Sequence, residues 1–265
     1  MDLFRESIVE RFDIVLFIMT HYPLRYVTFG GGSLCCDGSE KPPEFVYIDP
    51  TDDCDRVVEA LLETGYNEEF CLASDFDEEF IERLMEAGFL VMSAAFPFLP
   101  FYIILPKLHL VRSALFFPDL HVKKSIRPFL SRYELRVDVD FDLILDRCVQ
   151  THGGDWLTPP LVEILKRQRR GNSGRVKPVS FAVYRDGELK AGEIGVVVGR
   201  VYTSYSGYRE EPNAGTVQII LMTKWLEKTG FDFLDLGMPL NYKTALGARN
   251  IEPGRFVELF RAARY

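Results

Sequence analysis

The sequence predicts a mixed α/β fold, and three features of its C-terminal half support this prediction. Residues 196–202 are β-branched or aromatic apart from one Gly-Arg pair, which is typical of two buried strands joined by a tight turn. Apolar residues between 217 and 225 recur at helical spacing, and Gly230 can end that helix in a left-handed conformation. Residues 231–236 then alternate as a strand does. Strand, helix and strand in this order predict a crossover onto one sheet, and sites in such sheets gather where strands end.

Composition and cysteine usage narrow the class of protein. The chain has 265 residues, 47% of them hydrophobic and 26% charged, which predicts a soluble globular protein with one large or two modest domains. The apolar stretch 14–19 is too short for a membrane span and lacks a basic leader, so we expect a cytoplasmic protein without membrane contact. The five cysteines leave one over if paired and have no zinc-ligand spacing, so we expect buried or incidental thiols rather than a metal site or disulfides.

Charge is polarised along the chain. Residues 1–100 hold 6 Lys+Arg and 21 Asp+Glu, whereas residues 101–265 hold 25 and 18, so the two parts carry −15 and +7. A cationic run with interleaved phenylalanines lies between residues 107 and 136 and includes Lys107 and His109. This composition fits a polyanion such as nucleic acid, and it equally fits a solvated surface or an acidic part that faces its own basic neighbour.

Local signals predict the remaining elements in order. The predicted strands and strand regions are 26–29, 45–48, 89–105 and a hairpin around Asp186-Gly187. The predicted helices follow Asp52 or Asp53 up to Gly65, run from Asp77 through Glu86, cover 141–148, and start at Pro159-Pro160. We therefore expect a small acidic α/β domain over residues 1–110 and a second domain over residues 111–265.

Short motifs in a fixed order resemble the leucyl/phenylalanyl-tRNA-protein transferases. These motifs are Phe70–Ser93, Phe117–Ser125, Gly154–Thr158, Gly192–Gly199, Asn213-Ala214 and Leu246–Ala248. The resemblance implies a small N-terminal domain followed by a GNAT-like (acetyltransferase-like) mixed-sheet domain. It also implies transfer of an aminoacyl group from charged tRNA to a protein N-terminal amine, which marks that protein for degradation, without a metal or redox cofactor. The expected partners are an aminoacyl-tRNA and an acceptor N-terminus, and the chain is expected to be a monomer.

The same resemblance suggests which residues form the site. The family's catalytic aspartate matches Asp235, Gly237 stands where the family has a glutamine, and a family glutamate aligns with Tyr205. Asp235 and Tyr205 are therefore the expected catalytic residues, although Asp235 can also be a structural carboxylate at a strand end. The expected substrate-binding residues are Trp156, Glu193, Tyr202, Asn213, Gly237 and Asn241. The expected tRNA-binding residues are Arg112, Lys123, Lys124 and Arg127.

Several of these residues have an alternative role. Trp156 can anchor the core or stack on the terminal adenosine, and Tyr202 can pack in the core or wall a pocket. Glu193 can be solvated, or it can point inward and suit a cationic aminoacyl group. The donor amino acid is thus leucine or phenylalanine by family, with arginine or lysine as the alternative.

Two other functions compete with aminoacyl transfer. An acyl-CoA N-acetyltransferase of the GNAT type would hold pyrophosphate at a glycine-rich helix start. The nearest segment, 209–214, has a proline in place of a glycine and carries two glutamates. A non-catalytic degron-binding or tRNA-binding relative is the third alternative, because Gly237 and Tyr205 depart from the family pattern.

Overall fold

The computed structural model describes residues 14–21, 24–31, 44–95, 101–171 and 175–265. Its strands are β1 (Ile14–His21), β2 (Leu24–Gly31), β3 (Glu44–Tyr47), β4 (Leu90–Ala95), β5 (Tyr102–Lys107), β6 (Arg112–Leu115), β7 (Glu134–Val137), β8 (Val176–Arg185), β9 (Glu188–Val198), β10 (Val201–Arg209), β11 (Phe233–Asp235) and β12 (Arg249–Ile251). Its helices are α1 (Cys54–Glu63), α2 (Glu78–Glu86), α3 (Arg127–Leu130), α4 (Phe141–His152), α5 (Pro159–Arg170), α6 (Ala214–Lys228), α7 (Asn241–Ala245) and α8 (Pro253–Arg264), with a 3-10 turn at Phe117–Asp119. Cys35 and Cys36 lie outside these residues.

The described strands form a mixed sheet and two smaller ladders, which confirms the predicted α/β class. Seven strands follow the order β12-β6-β11-β10-β9-β8-β7, while β1-β2-β3 and β4-β5 pair separately. Only the β10–β11 pair in the large sheet is parallel, as expected for strands joined by a crossover helix. That helix is α6, which begins after Asn213 and is followed by Gly230, both with positive φ.

Strand β10 extends further than the sequence predicts. The sequence predicts the second strand of this hairpin only to residue 202, yet β10 continues through the polar residues Ser204–Ser206 to Arg209, with a register shift against β9. The parallel ladder with β11 covers only three pairs and stops at Thr203↔Asp235. Beyond that point one edge of β10 is open, and an open edge tolerates polar residues that a fully paired strand excludes.

After β11 the chain remains hydrogen-bonded to the β6 side of the sheet and no longer pairs with β10. The Leu236 N–H donates to the Ser113 carbonyl at 2.8 Å, and the Ser113 N–H donates to the Gly237 carbonyl at 2.7 Å. Residues 204–209 of β10 and residues 236–242 therefore do not continue the ladder between β10 and β11, and we call the region between them the strand gap. It lies at the carboxyl end of β11, where ligands of open α/β sheets bind.

Both faces of the large sheet are covered. Helix α6 packs Met222 and Leu226 against Phe181, Tyr202 and Leu234 on one face. The opposite face carries the largest buried cluster, which includes Phe80 of α2, Ile144 of α4, Ile164 of α5 and Phe260 of α8. Because this cluster contains residues on both sides of position 110, the two predicted domains share apolar contacts, and the boundary at 110/111 stays a prediction.

The acidic N-terminal part faces basic residues of the C-terminal part. Asp55 of α1 pairs with Arg264 at 2.9 Å and with Arg261 at 3.4 Å, and Glu86 of α2 pairs with Arg175 at 3.3 Å. Part of the charge polarity is thus neutralised within the chain. In the portion of the chain that the structure describes, no helix has the length and apolar character that crossing a membrane requires.

Candidate active site

A buried ion pair lies beside the strand gap. Asp235 is the last residue of β11 and Arg112 is the first of β6, and the antiparallel pairing of these strands places both side chains on one face. The Arg112 Nε donates to Asp235 Oδ1 at 2.9 Å, and Nη2 donates to Oδ2 at 2.5 Å. The Gly237 N–H also donates to Oδ1 at 2.9 Å, and Arg112 lies 4.2 Å above the Phe256 ring. Exposures of 0% and 1% leave this bidentate pair without solvent contact.

His109 extends the pair towards Gly237. The Arg112 Nη1 donates to His109 Nδ1 at 3.0 Å, so the neutral imidazole carries its hydrogen on Nε2. Burial, and next the charges of Arg112, Lys107 and Lys243, lower the pKa of His109 to about 2. The Nε2 atom lies 3.7 Å from the position that a Cβ at residue 237 would occupy. A neutral N–H donor thus lies beside Gly237, where the resembled family has a glutamine.

Tyr205 approaches the ion pair from the open part of β10. Its hydroxyl accepts from the Val91 N–H of β4 at 3.3 Å, and burial raises the pKa of the phenol above its ordinary value. The phenol therefore stays protonated at neutral pH and can donate but cannot act as a base. Two residues further along β4, Ser93 donates its N–H to the Trp156 carbonyl at 2.9 Å. The half-buried Trp156 side chain packs against the main core cluster, one strand away from the gap.

Glu193 and Tyr202 lie on the opposite face of the sheet, under α6. Glu193 is 4% exposed and Tyr202 is fully buried, and within the described residues neither Glu193 Oε1 nor the Tyr202 hydroxyl has a hydrogen-bond partner. Burial raises the pKa of Glu193, while the facing Ser204, Gln218 and Tyr202 groups partly offset this rise. The Tyr202 ring packs directly over Gly195. A Cβ at position 195 would lie 2.5 Å from the Tyr202 hydroxyl, so only glycine leaves room for the ring.

Lys243 of α7 lies between the two carboxylates. Its Nζ donates to the carbonyls of Leu236 and Met238, at 2.5 and 2.9 Å, and so holds the chain that follows β11. Burial lowers the pKa of Lys243, whereas Asp235 and Glu193 raise it. The groups around the end of β10–β11 therefore form one electrostatic cluster that includes residues on both faces of the sheet.

The rim of the strand gap is apolar and exposed. Met238, Leu240 and Tyr242, in the segment that borders the gap, are 42–52% exposed, and Leu110 and Val111, just before β6, are 40% and 42% exposed. Asn241 is exposed at the start of α7, and Asn213 precedes α6 without a side-chain capping bond. These two asparagines flank the cluster and do not contact Asp235 through any hydrogen bond among the described residues.

The predicted tRNA-binding residues separate into two groups. Lys123, Lys124 and Arg127 are exposed and have no acidic partner in the described part of the chain. Arg112 is instead interior and paired with Asp235, so its position does not support the predicted contact with tRNA. An interior position follows from the apolar residues around it and from a carboxylate on the neighbouring strand.

Exposed cations between residues 123 and 132, together with one lysine of α6, form a cationic surface. We define this surface by Lys123, Lys124, Arg127 and Arg132 together with Lys224 of α6, all exposed. It begins two residues after His121, whose N–H donates to the Leu246 carbonyl at 2.8 Å just beyond α7. A polyanion on this surface would therefore have one end near the cluster around Asp235.

Segment 209–214, which an acyl-CoA enzyme would use to bind pyrophosphate, carries two glutamates that are paired with arginines. Glu211 pairs with Arg185 at 2.6 Å and accepts from the Tyr133 hydroxyl, and Glu210 pairs with Arg147 at 2.8 Å. Two carboxylates at this helix start oppose a pyrophosphate, because the favourable field of a helix N-terminus is already offset by negative charge.

Comparison with known proteins gives the family. A family model described as leucyl/phenylalanyl-tRNA protein transferase matches residues 114–261, and the chain belongs to this family. It is 29% identical over 153 residues to a leucyl/phenylalanyl-tRNA–protein transferase of Pseudomonas entomophila and 31% identical over 153 residues to one of Pseudomonas putida. Each match covers 56% of this chain and 66% of the relative, just under two thirds of its length.

Likeness to solved structures is loose. A GCN5-related N-acetyltransferase from Kribbella flavida aligns with 88% of this chain and 85% of its own, at 12% identity and a TM-score of 0.37. At this score the likeness says nothing about the site.

Replacing Asp235 by asparagine should strongly destabilise the fold. The change leaves the buried Arg112 without its counter-charge, which costs about 3–5 kcal/mol. The matched control is Asp232→Asn, because Asp232 makes the same bidentate contact with Arg200 at 3.0 Å but is exposed. Exposed pairs contribute about 0–1 kcal/mol. Urea unfolding of both variants measures the difference, and equal small losses would contradict the interior ion pair.

The neutral state of His109 should make stability depend on pH. Its folded pKa is depressed, so below about 6.5 the unfolded chain binds a proton that the folded chain excludes, and stability is lost as pH falls. We expect the free energy of unfolding of the wild type, relative to His109→Gln, to fall by up to about 1.4 kcal/mol per pH unit between pH 6 and 4.5. Parallel curves in urea titrations would show that His109 is not held neutral.

Proposed function

We propose that this protein transfers an aminoacyl group from charged tRNA to the N-terminal amine of a protein or peptide, with the strand gap as the reaction site. The family match carries the proposal, since residues 114–261 include Asp235, Tyr205 and the cationic surface. The Asp235–Arg112 pair supports it by fixing the end of β11 next to two neutral donors. We further propose that the protein is a monomer and works in the cytoplasm, where charged tRNA is made. The transferred residue would mark its acceptor protein for degradation.

The reaction needs positioning more than strong catalysis. The acceptor nitrogen bonds to the carbonyl carbon of the ester, the bond to the ribose oxygen breaks, and the proton lost by the amine ends on that oxygen. An aminoacyl ester is already activated, so holding amine and ester together accounts for much of the rate. Neither Asp235, which is saturated by Arg112 and Gly237, nor the protonated Tyr205 phenol has a free lone pair suited to a strong base.

Stabilisation of the tetrahedral oxyanion is assigned to His109. Its Nε2–H is free of hydrogen bonds in the described structure and lies beside Gly237, and the imidazole stays neutral because burial and the charge of Arg112 lower its pKa. A fixed donor of this kind lowers the energy of a developing alkoxide without reorganising. Asp235 then acts as a positioning residue that orients Arg112, and through it His109, while the Tyr205 hydroxyl supplies a second donor at the gap.

The direct experiment incubates the full chain with individually charged tRNAs and acceptor peptides that begin with Arg, Lys, Asp or Glu. Mass spectrometry should detect acceptor peptides extended by one amino acid. If tRNA and peptide bind but no donor is transferred, the chain is a non-catalytic relative and the proposal fails. Acetylation of the peptides from acetyl-CoA, without aminoacyl transfer, would instead support the acyl-CoA alternative.

Charge reversal on the cationic surface should weaken tRNA binding and flatten its salt dependence. Each phosphate contact contributes about one unit to the slope of log K against log salt, so Lys123→Glu with Arg127→Glu should reduce that slope by roughly two. The control is Arg56→Glu with Arg255→Glu, two exposed arginines on α1 and α8 whose reversal changes the net charge equally. Filter binding at several salt concentrations measures both, and identical slopes would place the tRNA elsewhere.

A further inference from the structure

A buried carboxyl group with one unpaired oxygen lies under α6, on the strand next to β10. Glu193 belongs to β9 and faces Gly207 of β10 in register. Its Oε1 has no hydrogen-bond partner among the described residues. No Lys or Arg nitrogen of the described chain lies within 4.0 Å of the Glu193 carboxyl oxygens, the distance that defines an ion pair. Buried polar atoms are almost always satisfied, and an orphaned carboxylate oxygen indicates a missing partner.

The surroundings of Glu193 are built to accept a donor. Tyr202 presents a hydroxyl that also lacks a partner, and the Gln218 amide and Ser204 hydroxyl face the carboxylate. Lys243, the nearest cation, is held by two backbone carbonyls and does not reach Glu193. Within the described residues, neutral donors face Glu193 and no cation pairs with it.

The position of this carboxylate relates it to the proposed reaction site. Lys243 is influenced by both Glu193 and Asp235, so the two lie around the same lysine on opposite faces of the sheet. Gly207 is exposed and Ser204 is half-exposed, and both belong to the open part of β10 that borders the strand gap. A side chain attached to a carbonyl in the gap could thus extend between β10 and residues 236–242 towards Glu193.

From this geometry we propose that Glu193 selects a cationic aminoacyl group, so that the donor is lysyl-tRNA or arginyl-tRNA. The inference rests on the proposed function and names its substrate class. A long side chain with a terminal ammonium or guanidinium supplies the missing donor, while its methylene stem lies between apolar groups such as Tyr242 at the rim. A leucyl or phenylalanyl side chain would leave the carboxylate buried and unpaired, which disfavours it.

The acceptor amine is the other cation that could meet Glu193. A buried carboxylate would hold that amine as an ammonium ion, and an ammonium has no lone pair with which to attack the ester. The proposal therefore assigns Glu193 to the donor, and we expect the KM of the acceptor peptide to be unchanged when the carboxylate is removed.

The test uses adenosine carrying lysine, arginine, leucine or phenylalanine through a 3′-amide, which cannot be transferred. Calorimetry should show tighter binding of the lysyl and arginyl analogues. Glu193→Gln should weaken these two on the order of 100-fold and leave the leucyl analogue unchanged. Glu193→Met should favour the leucyl analogue. The matched control is Glu82→Gln, a carboxyl that is also 4% exposed but pairs with Arg175 away from the gap. Thermal unfolding confirms that each variant is folded.

The outcomes separate the two proposals. Transfer of leucine or phenylalanine by the wild type, with no cationic preference in binding, overturns the role of Glu193 and leaves aminoacyl transfer standing. Equal loss in the Glu82→Gln control also overturns it. Absence of binding by every analogue, together with absence of transfer from every charged tRNA, overturns both.

Discussion

The ion pair between Asp235 and Arg112 is the interaction on which the rest of the site depends. It joins the end of β11 to the start of β6, so the chain after β11 follows β6 and leaves β10. This divergence opens the strand gap. The same guanidinium fixes the tautomer of His109 and packs on Phe256, so one arginine links the sheet, the C-terminal helix and the proposed oxyanion donor. Without a partner, a charge this deeply buried would cost several kcal/mol.

The two faces of the sheet contribute different chemistry to the same gap. The face with Asp235 supplies a neutral imidazole and a protonated phenol, which suit a developing oxyanion. The face with Glu193 supplies an unsatisfied carboxylate, which suits a cation. Lys243 lies between them and holds the chain after β11 through the carbonyls of Leu236 and Met238, and no hydrogen bond joins the two acids in the described chain.

The charged residues fall into two groups in the structure, those that pair within the chain and those that do not. The acids of α1 and α2 are matched by arginines near the C-terminus and by Arg175, so they stabilise the fold. The cations from Lys123 to Arg132 have no such partners among the described residues and remain available to a polyanion. A charge count alone could not separate these groups, because it records neither contact nor exposure.

Local signals in the sequence were sufficient for most of the described elements. Asp53 and Asp77 cap α1 and α2, Gly230 follows α6 in a left-handed conformation, and Asp186-Gly187 turns the β8–β9 hairpin. Each of these depends on residues within one turn of each other.

The site depended on contacts that no local pattern records. Arg112 and Asp235 are 123 residues apart in the sequence. His109 was grouped with a cationic run, although the leucines on either side of it indicate an interior position. Glu193 had a usable signal, since it is the one charged residue in the otherwise apolar and glycine run 191–198, and a charge within such a strand is interior whichever face it occupies.

The family match begins at residue 114, so His109 and Arg112 lie outside it, although Arg112 bonds to the matched Asp235 and His109 lies beside the matched Gly237. Gly237 has no side chain with which to bind a substrate, and the His109 imidazole, from a segment outside the family match, lies beside it.

The central claim is that the strand gap receives the aminoacyl end of charged tRNA, and a crystal structure with the 3′-lysylamido adenosine analogue tests it most directly. The account predicts electron density between residues 204–209 and 236–242, with the aminoacyl carbonyl oxygen within about 3.2 Å of His109 Nε2. An analogue bound elsewhere, with the gap empty and His109 turned away from any ligand, would contradict it.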